Sequence, residues 1–357
     1  MAPAEAVSPS TLSERPSLLR AGVLSPLLFI AAFALLPLVV AGGDGAFLLT
    51  IAARIMIFAL AALSLDLILG YGAMVSFGHA AFIGIGAYVI GISAEHFLED
   101  LALTLPLALF ICAAFGLLMG AVSVRTSGIQ FIMITLALSQ MAYFGATSLA
   151  RYGGDDGLTL WSRSTVFGSS ILENDVAFYY AVVVALALCY GLCALIVRSR
   201  FGRVLSGIRQ SDKRMSALGY PVDRYRLVAF VIAGAICGVS GVLLANLTEF
   251  VSPAYMSWGR SADLIIILVI GGIGRLHGAL WGALILLGLE DAIPFVFKDV
   301  LAPLFPADGE SIGASLHAAS LTIAQNWKVV LGPILILVAL YARGGIVGVF
   351  STRKDGS

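Results

Sequence analysis

The sequence predicts an all-α integral membrane protein, a polytopic bundle of eight to ten transmembrane helices with broken or re-entrant segments. Three observations carry that expectation. Hydrophobic side chains make up 60% of the 357 residues and charged ones only 12%, about half the ~25% of a soluble domain. The mean hydropathy is +1.00. Apolar runs of about 20 residues, enough to cross a hydrocarbon core of roughly 30 Å, recur along the chain. A chain this poor in charge cannot clothe a soluble globule, which excludes soluble enzymes, nucleic-acid binders and disordered scaffolds.

Residues 1–22, rich in Ser and Pro, read as a disordered N-terminus. The membrane domain then occupies 23–345, and 346–357 form a tail. Candidate spans lie at 24–41, 47–70, 73–93, 101–124, 128–149, 176–197, 227–247, 261–273, 277–293 and 327–342. The first is longer than a signal-peptide core, and Ala41-Gly42-Gly43-Asp44 is a poor cleavage match, so it reads as an uncleaved helix. The eighth and ninth are short, with Gly271, Gly272 and Gly274 between them. They read either as two tilted helices or as one broken re-entrant unit, and ten spans is the preferred count.

Charge placement orients the bundle, although 21 Lys and Arg cancel 21 Asp and Glu. Eight basic residues (Arg198, Arg200, Arg203, Arg209, Lys213, Arg214, Arg224, Arg226) crowd the 198–226 loop against only Asp212 and Asp223. The positive-inside rule makes that loop cytoplasmic. Arg15 and Arg20, Arg125, Arg275, Arg343, Arg353 and Lys354 fall on the same side, so both termini are expected inside. The opposite loops carry Glu95, Glu99, Asp100, Asp155, Asp156, Glu173, Asp175, Glu290, Asp291, Asp299, Asp308 and Glu310, with Asp263 and Glu249 expected near the outer mouth.

Cys112, Cys189, Cys193 and Cys237 all sit in apolar runs without zinc or disulfide spacing. They read as small buried thiols, and no metal is expected. Gly116-x-x-x-Gly120, Gly234-x-x-x-Gly238 and Gly278-x-x-x-Gly282 place small residues on one helix face for close helix approach.

The third segment departs from a regular helix. Gly70 to Tyr88 holds Gly70, Gly72, Gly78, Gly84 and Gly86, with Ser76 and His79 among them, and each Gly costs about 1 kcal/mol against Ala inside a helix. Irregular backbone persists at membrane depth only when packed in protein or lining a cavity. Ser76, Gly78 and His79 are therefore candidates for a translocation pathway. Gln130, Thr135 and Gln140, polar groups of the fifth span, join them, with interhelical hydrogen bonding as the equal alternative. Gly271 to Gly278 forms a second interrupted element in the other half, a hint of duplicated halves.

Ionisable groups inside spans call for a partner or a wet cavity. Arg54 and Asp66 lie 12 residues apart in the second span, roughly 18 Å along a helix, and cannot pair. Asp66, near the cytoplasmic end, is placed to cap or contact a neighbouring element. No carboxylate falls convincingly at mid-membrane, which argues against a proton-driven carrier.

The basic loop divides into helices. Gly202 is expected to end one, and Ser211 or Asp212 to cap a short helix over 212–218. Gly219 closes that helix at C′, and Pro221 stops its continuation. A short helix standing off the membrane, flanked by basic residues, suits docking to another protein, with an ordinary positive-inside loop as the alternative. No Gly-x-x-x-x-Gly-Lys-Ser/Thr phosphate loop occurs.

Leu63 to Gly72, running into Ser76-Phe77-Gly78-His79-Ala80-Ala81-Phe82 and Gly84-Ile85-Gly86-Ala87-Tyr88, resembles the signature of branched-chain amino acid ABC transporter permeases of the LivM type. Gly202-Arg203, Ile208-Arg209, Ala217-Leu218-Gly219 and Arg224-Tyr225 resemble that family's cytoplasmic coupling loop. Gly271 to Gly274 with Gly278, Ala279 and Gly282 is similar to its third recurring block. The resemblance covers roughly residues 50–345. Asp66 departs from the Asn of many members.

The resemblance implies a permease subunit of a bacterial inner-membrane importer for leucine, isoleucine and valine, without enzymatic activity of its own. It implies a second related permease, two cytoplasmic ATP-binding subunits and a periplasmic substrate-binding protein as partners. This chain then carries no cofactor, and ATP is used in trans. Gly202, Arg203, Ile208, Arg209, Asp212, Ala217, Leu218 and Gly219 become the residues of coupling to the ATPase, and none is catalytic. A permease for urea or short-chain amides is the nearest alternative. An ion-coupled carrier would need its own ion site, and a passive channel would not need the docking-like loop.

Overall fold

The computed structural model describes residues 16–39 and 45–301, together with 321–322, 325–326, 329, 331–333 and 336. The tenth predicted span lies largely outside the described residues, and the 346–357 tail wholly so. Each of the first nine predicted spans corresponds to a helix: α1 (Pro16–Val39), α2 (Gly45–Gly72), α3 (Ala80–Glu95), α4 (Leu101–Ser123), α5 (Ile129–Thr147), α6 (Asp175–Arg198), α9 (Val222–Thr248), α10 (Trp258–Gly271) and α11 (Leu276–Phe295). Two further helices, α7 (Arg200–Gln210) and α8 (Asp212–Ala217), make up the basic loop. Among the described residues, six helices (α2, α4, α5, α6, α9 and α11) are long and apolar enough to cross a membrane. The chain is a multi-pass helical membrane protein.

One boundary moves. Residues 16–22, expected to be disordered, belong to α1, which starts on Pro16. Proline at the first helical position lacks only an N–H that would be unbonded there anyway.

Burial separates centre from rim. In α9 67% of the apolar window is buried and in α2 61%, against 22% in α4 and in α5. Helices apolar all round belong at the centre of a bundle, and α2 is enclosed almost continuously from Ala52 to Gly70. Glycine sets the spacing around α9. A Cβ on Gly241 would run into the Ile83 carbonyl, and one on Gly86 into the Gly238 carbonyl, so α3 and α9 touch backbone to backbone. The three Gly-x-x-x-Gly pairs face partner helices as expected: Gly120 meets Leu227 and Phe230, Gly234 meets Phe82, and Gly282 meets the Ile267 carbonyl.

The ends of the described helices fall into two sets. The basic end gathers the close of α2, the α10–α11 turn, the start of α9 and helices α7 and α8. The acidic end carries α3's C-terminus, the 148–174 segment and a two-stranded ribbon in which β1 (Leu158–Thr159) pairs antiparallel with β2 (Phe250–Val251). Arg163 ties that end together, meeting Asp175 at 2.8 Å and Glu249 at 3.3 Å while its guanidinium lies over the Phe178 ring. Arg54 pairs there with Glu290 at 3.0 Å and Asp291 at 3.6 Å.

Two units of opposite direction emerge. α2 reaches the basic end, the chain breaks over 73–79, and the 16-residue α3 runs back toward the acidic end. α9 reaches the acidic end, the chain breaks over 249–257, and the 14-residue α10 runs toward the basic end. The two short helices meet by their N-termini, where the Ala80 N–H donates to Ser261 Oγ at 3.0 Å. At ~1.5 Å per residue, Ser261 is about 15 Å along α10 from Gly271, close to mid-membrane. Asp263 is therefore about 12 Å from the basic end and not at the outer mouth as expected, which also corrects the expectation that no carboxylate lies near mid-membrane. Its partner there is Arg260, 3.9 Å away, so the charge at that depth is matched.

The question of residues 261–293 is resolved. α10 and α11 form an antiparallel hairpin, with Gly271 against Gly278 and Ile267 against Gly282. The turn between them uses positive φ at Gly272 (110°) and Gly274 (81°), a region L side chains rarely adopt.

Candidate functional site

The basic loop becomes a built element. α6 ends at Arg198, and Ser199 caps α7 by accepting from the Gly202 N–H at 3.4 Å. Gly202 therefore does not end a helix as expected. It lies in the first turn of α7, where a Cβ would meet the Ile196 and Val197 carbonyls. Gly202, Leu205 and Ile208 are buried at i, i+3 and i+6, so α7 lays one face on the bundle. Leu205 packs against Gly72 at the end of α2. Arg203 and Arg209 lie on the exposed face, and Arg209 turns its Nη1 back to donate to the Gly70 carbonyl.

α8 follows the predicted capping. Ser211 is the N-cap, its Oγ accepting from the Arg214 N–H at 3.3 Å. Asp212 instead takes both carboxylate oxygens to Arg226 Nη2, at 2.8 and 2.7 Å, fastening α8 to α9. Gly219, at φ 85°, closes the helix: its N–H donates to the Ser216 carbonyl and that of Tyr220 to Met215, the paired bonds of a Schellman end. Phe201 stacks on Tyr225 and Tyr220 meets it edge-on, locking α7, α8 and α9 into one unit. What remains outside is Lys213, Arg214, Ala217, Leu218 and Gly219, with Leu218 67% exposed.

Behind this surface sits Asp66. Its side chain is fully buried, and Oδ1 accepts the Gly274 N–H at 2.8 Å, while Oδ2 has no hydrogen-bond partner among the described residues. Gly70 fits between them because it has no Cβ; one there would collide with Asp66 and Gly274. Helix α7, the end of α2 and the α10–α11 turn are thus joined through Arg209, Gly70, Asp66 and Gly274. The carboxylate meets a neighbouring element, as expected. Its partner, 208 residues away, carried no sequence signal.

The predicted pathway residues divide. Ser76, Gly78, His79 and Thr135 come together in a buried seam where the 73–79 break passes between α2 and α5. Ser76 Oγ accepts the Gly78 N–H at 3.3 Å, and Gly78 abuts the Thr135 carbonyl. Thr135 Oγ1 donates to the Ile132 carbonyl at 3.0 Å within its own helix. Ser64 Oγ donates to Ala61 O at 2.6 Å, leaving its oxygen to face His79 Nε2 at 2.9 Å. Gln130 stands apart on the exposed side of α5, and Gln140 is half-buried with no partner for Nε2 among the described residues. A cleft lined by Met74, Val75, Thr126, Phe131, Ile132 and Arg226 opens at the basic end beside the break. Ser64 and Ser261, which fix the break's depth, were missed as site residues; their signal was a lone hydroxyl in an apolar run.

Long apolar helices, two short helices that meet by their N-termini inside the bundle and the outward-facing α7–α8 unit define a multi-pass helical membrane protein. The chain belongs to the family described as "Branched-chain amino acid transport system / permease component", whose sequence profile matches residues 47–349. The high-affinity branched-chain amino acid transport system permease protein LivM of Salmonella typhimurium is 26% identical over 261 residues, 66% of this chain and 61% of its own length. LivM of Escherichia coli gives the same identity and coverage. The high-affinity permease protein BraD of Pseudomonas aeruginosa is 27% identical over 265 residues, 69% of this chain and 86% of its own. The chain thus spans about three fifths of the length of the LivM relatives it matches. No solved structure matches it.

Proposed function

We propose that this chain is a permease subunit of an ATP-driven importer for branched-chain amino acids in a bacterial inner membrane, with its basic end in the cytoplasm. The observation that carries the reading is the α7–α8 unit. Its inner face is tied to α2 and to the α10–α11 turn, while Lys213, Arg214, Ala217 and Leu218 face outward. An ATP-binding subunit seated on that outward face would push on a rigid body already linked to two elements of the bundle. Two such subunits, a second permease of related type and a substrate-binding protein at the acidic end complete the assembly in this reading. ATP is consumed by the partners, and this chain holds no cofactor.

The passage in this reading runs between the two permeases, along the exposed side of α5 that carries Gln130, with half-buried Gln140 and the seam of Ser76, Gly78, His79 and Thr135 beside it. Labelled leucine uptake in cells with and without the chain, measured with a protonophore while ATP is maintained, tests it. Chain-dependent uptake that survives the protonophore is the expected result. Uptake that collapses moves the reading to an ion-coupled carrier. Absence of leucine uptake alongside chain-dependent urea or amide uptake changes the cargo and keeps the architecture.

A further inference from the structure

A recess at the basic end, separate from the α7–α8 surface, is lined by Tyr71, Tyr190, Arg198, Gly274, Arg275 and His277, with apolar flanks from α6 and α11. Its chemistry is one-sided. Arg198 is brought to the same recess as Arg275, 77 residues further along the chain, and His277, and no Asp or Glu is among its lining residues. Neither Arg198 nor Arg275 has an ion pair among the described residues. α11 begins here as well: its N-cap Arg275 makes no side-chain cap, the Gly278 N–H donates to the Arg275 carbonyl at 2.7 Å and the Leu276 N–H is taken by the Tyr71 hydroxyl. The recess opens where the apolar surfaces of α6 and α11 give way to the basic loop, the level of membrane headgroups.

Two arginines, a histidine and two tyrosines around one opening, at that depth, are complementary to phosphate. We propose that this recess binds a phosphate ester, carried either on an anionic phospholipid headgroup or in solution. Basic pockets between transmembrane helices on the cytoplasmic side hold such headgroups by this chemistry. Because Gly274 lines the recess with its backbone and donates to Asp66 with its N–H, an occupant would hold the α10–α11 turn in the arrangement seen here. The proposal rests on neither the cargo nor the ATP dependence of transport.

Native mass spectrometry of the full chain, purified with its co-purifying subunits and exchanged into phosphatidylglycerol or phosphatidylcholine micelles, tests it. The comparison proteins are Arg198→Gln/Arg275→Gln and a control, Arg125→Gln/Arg200→Gln, which removes the same charge from the same end. The wild type and the control are expected to retain phosphatidylglycerol over phosphatidylcholine. The recess variant is expected to lose about tenfold or more in retention, as befits charge-assisted bonds. Competition by millimolar glycerol 1-phosphate or inorganic phosphate, at the same residues, assigns the site to the soluble ester; its absence assigns it to lipid. Equal retention by all three proteins, no preference for phosphatidylglycerol, or equal loss in the control overturns the proposal. The single Arg198→Gln variant, at an exposed helix end, gives the same readout if the double variant does not fold.

Discussion

Asp66 Oδ1 and the Gly274 N–H, 208 residues apart in sequence, lie 2.8 Å from each other inside the bundle. The bond fixes the turn between α10 and α11 against the last turns of α2. Arg209 of α7 reaches the same point from outside through the Gly70 carbonyl. Any force applied to α7 is therefore delivered to a junction of three elements.

Replacing Asp66 by Ala leaves the buried Gly274 N–H without its acceptor, at a cost of about 1–3 kcal/mol. Asp66→Asn keeps an amide oxygen in the same place. We expect Asp66→Ala to lower the thermal midpoint in detergent and to abolish uptake, with Asp66→Asn close to wild type in both. Equal damage from the two variants would show that the charge, and not the hydrogen bond to Gly274, is what matters.

Gly70 has no room for a side chain, since a Cβ would strike Asp66 and the Gly274 backbone. Forcing a methyl into a packed site typically costs about 1–3 kcal/mol. Gly70→Ala should therefore reduce the yield of folded protein, whereas Ala at Gly288, where nothing lies within 4 Å among the described residues, should not. Comparing the monodisperse fraction of the two variants by size-exclusion chromatography decides this, and similar yields refute the packing argument.

Much of this was legible before any coordinates. Span positions follow from apolar length alone, and α8 was readable because Ser211 and Gly219 act on their own neighbours. The glycines of the third segment announced a break, but not that α3 starts at Ala80. That start is set by Ser261, 181 residues away, and by His79 against Ser64. Gln130 and Thr135, equal as polar residues of one span, separate only once helix orientation is known. Gly202 looked like a helix end because glycine favours that position; Ser199, three residues earlier, was the stronger breaker through its side-chain cap.

The Asp212–Arg226 pair separates coupling from stability. Asp212 is 43% exposed and Arg226 13%, so the pair contributes about 1 kcal/mol or less to folding. Under the proposed function, Asp212→Ala frees α8 from α9 and should cut ATP-driven leucine uptake severely with little change in thermal midpoint. The exchange Asp212→Arg/Arg226→Asp should recover part of the uptake. An Asp212→Ala variant that transports normally would mean that α8 need not be fastened to α9.

Leu218 contacts little within the chain and is 67% exposed. Substitution at such a surface site usually changes stability by no more than about 0.5 kcal/mol. Leu218→Asp should leave the purified chain as stable as wild type yet prevent its co-purification with the ATP-binding subunits. Retention of those subunits at wild-type stoichiometry would remove α8 from the docking surface.

Arg260 and Asp263 face each other at 3.9 Å on α10, deep in the membrane and only partly covered, with the Arg260 guanidinium 5.6 Å from the centroid of the Phe58 ring. Ionised side chains at this depth are costly unless matched. Arg260→Ala removes the cation together with its contacts to Asp263 and the Phe58 ring, and a loss of about 1–3 kcal/mol is expected. Asp263→Asn removes the other member of the pair, so the double variant should lose less stability than the sum of the two single variants. Thermal unfolding of the wild type, both single variants and the double variant gives the coupling directly. Additive single effects would show that the pair does not act as a unit and that each side chain is matched by something else.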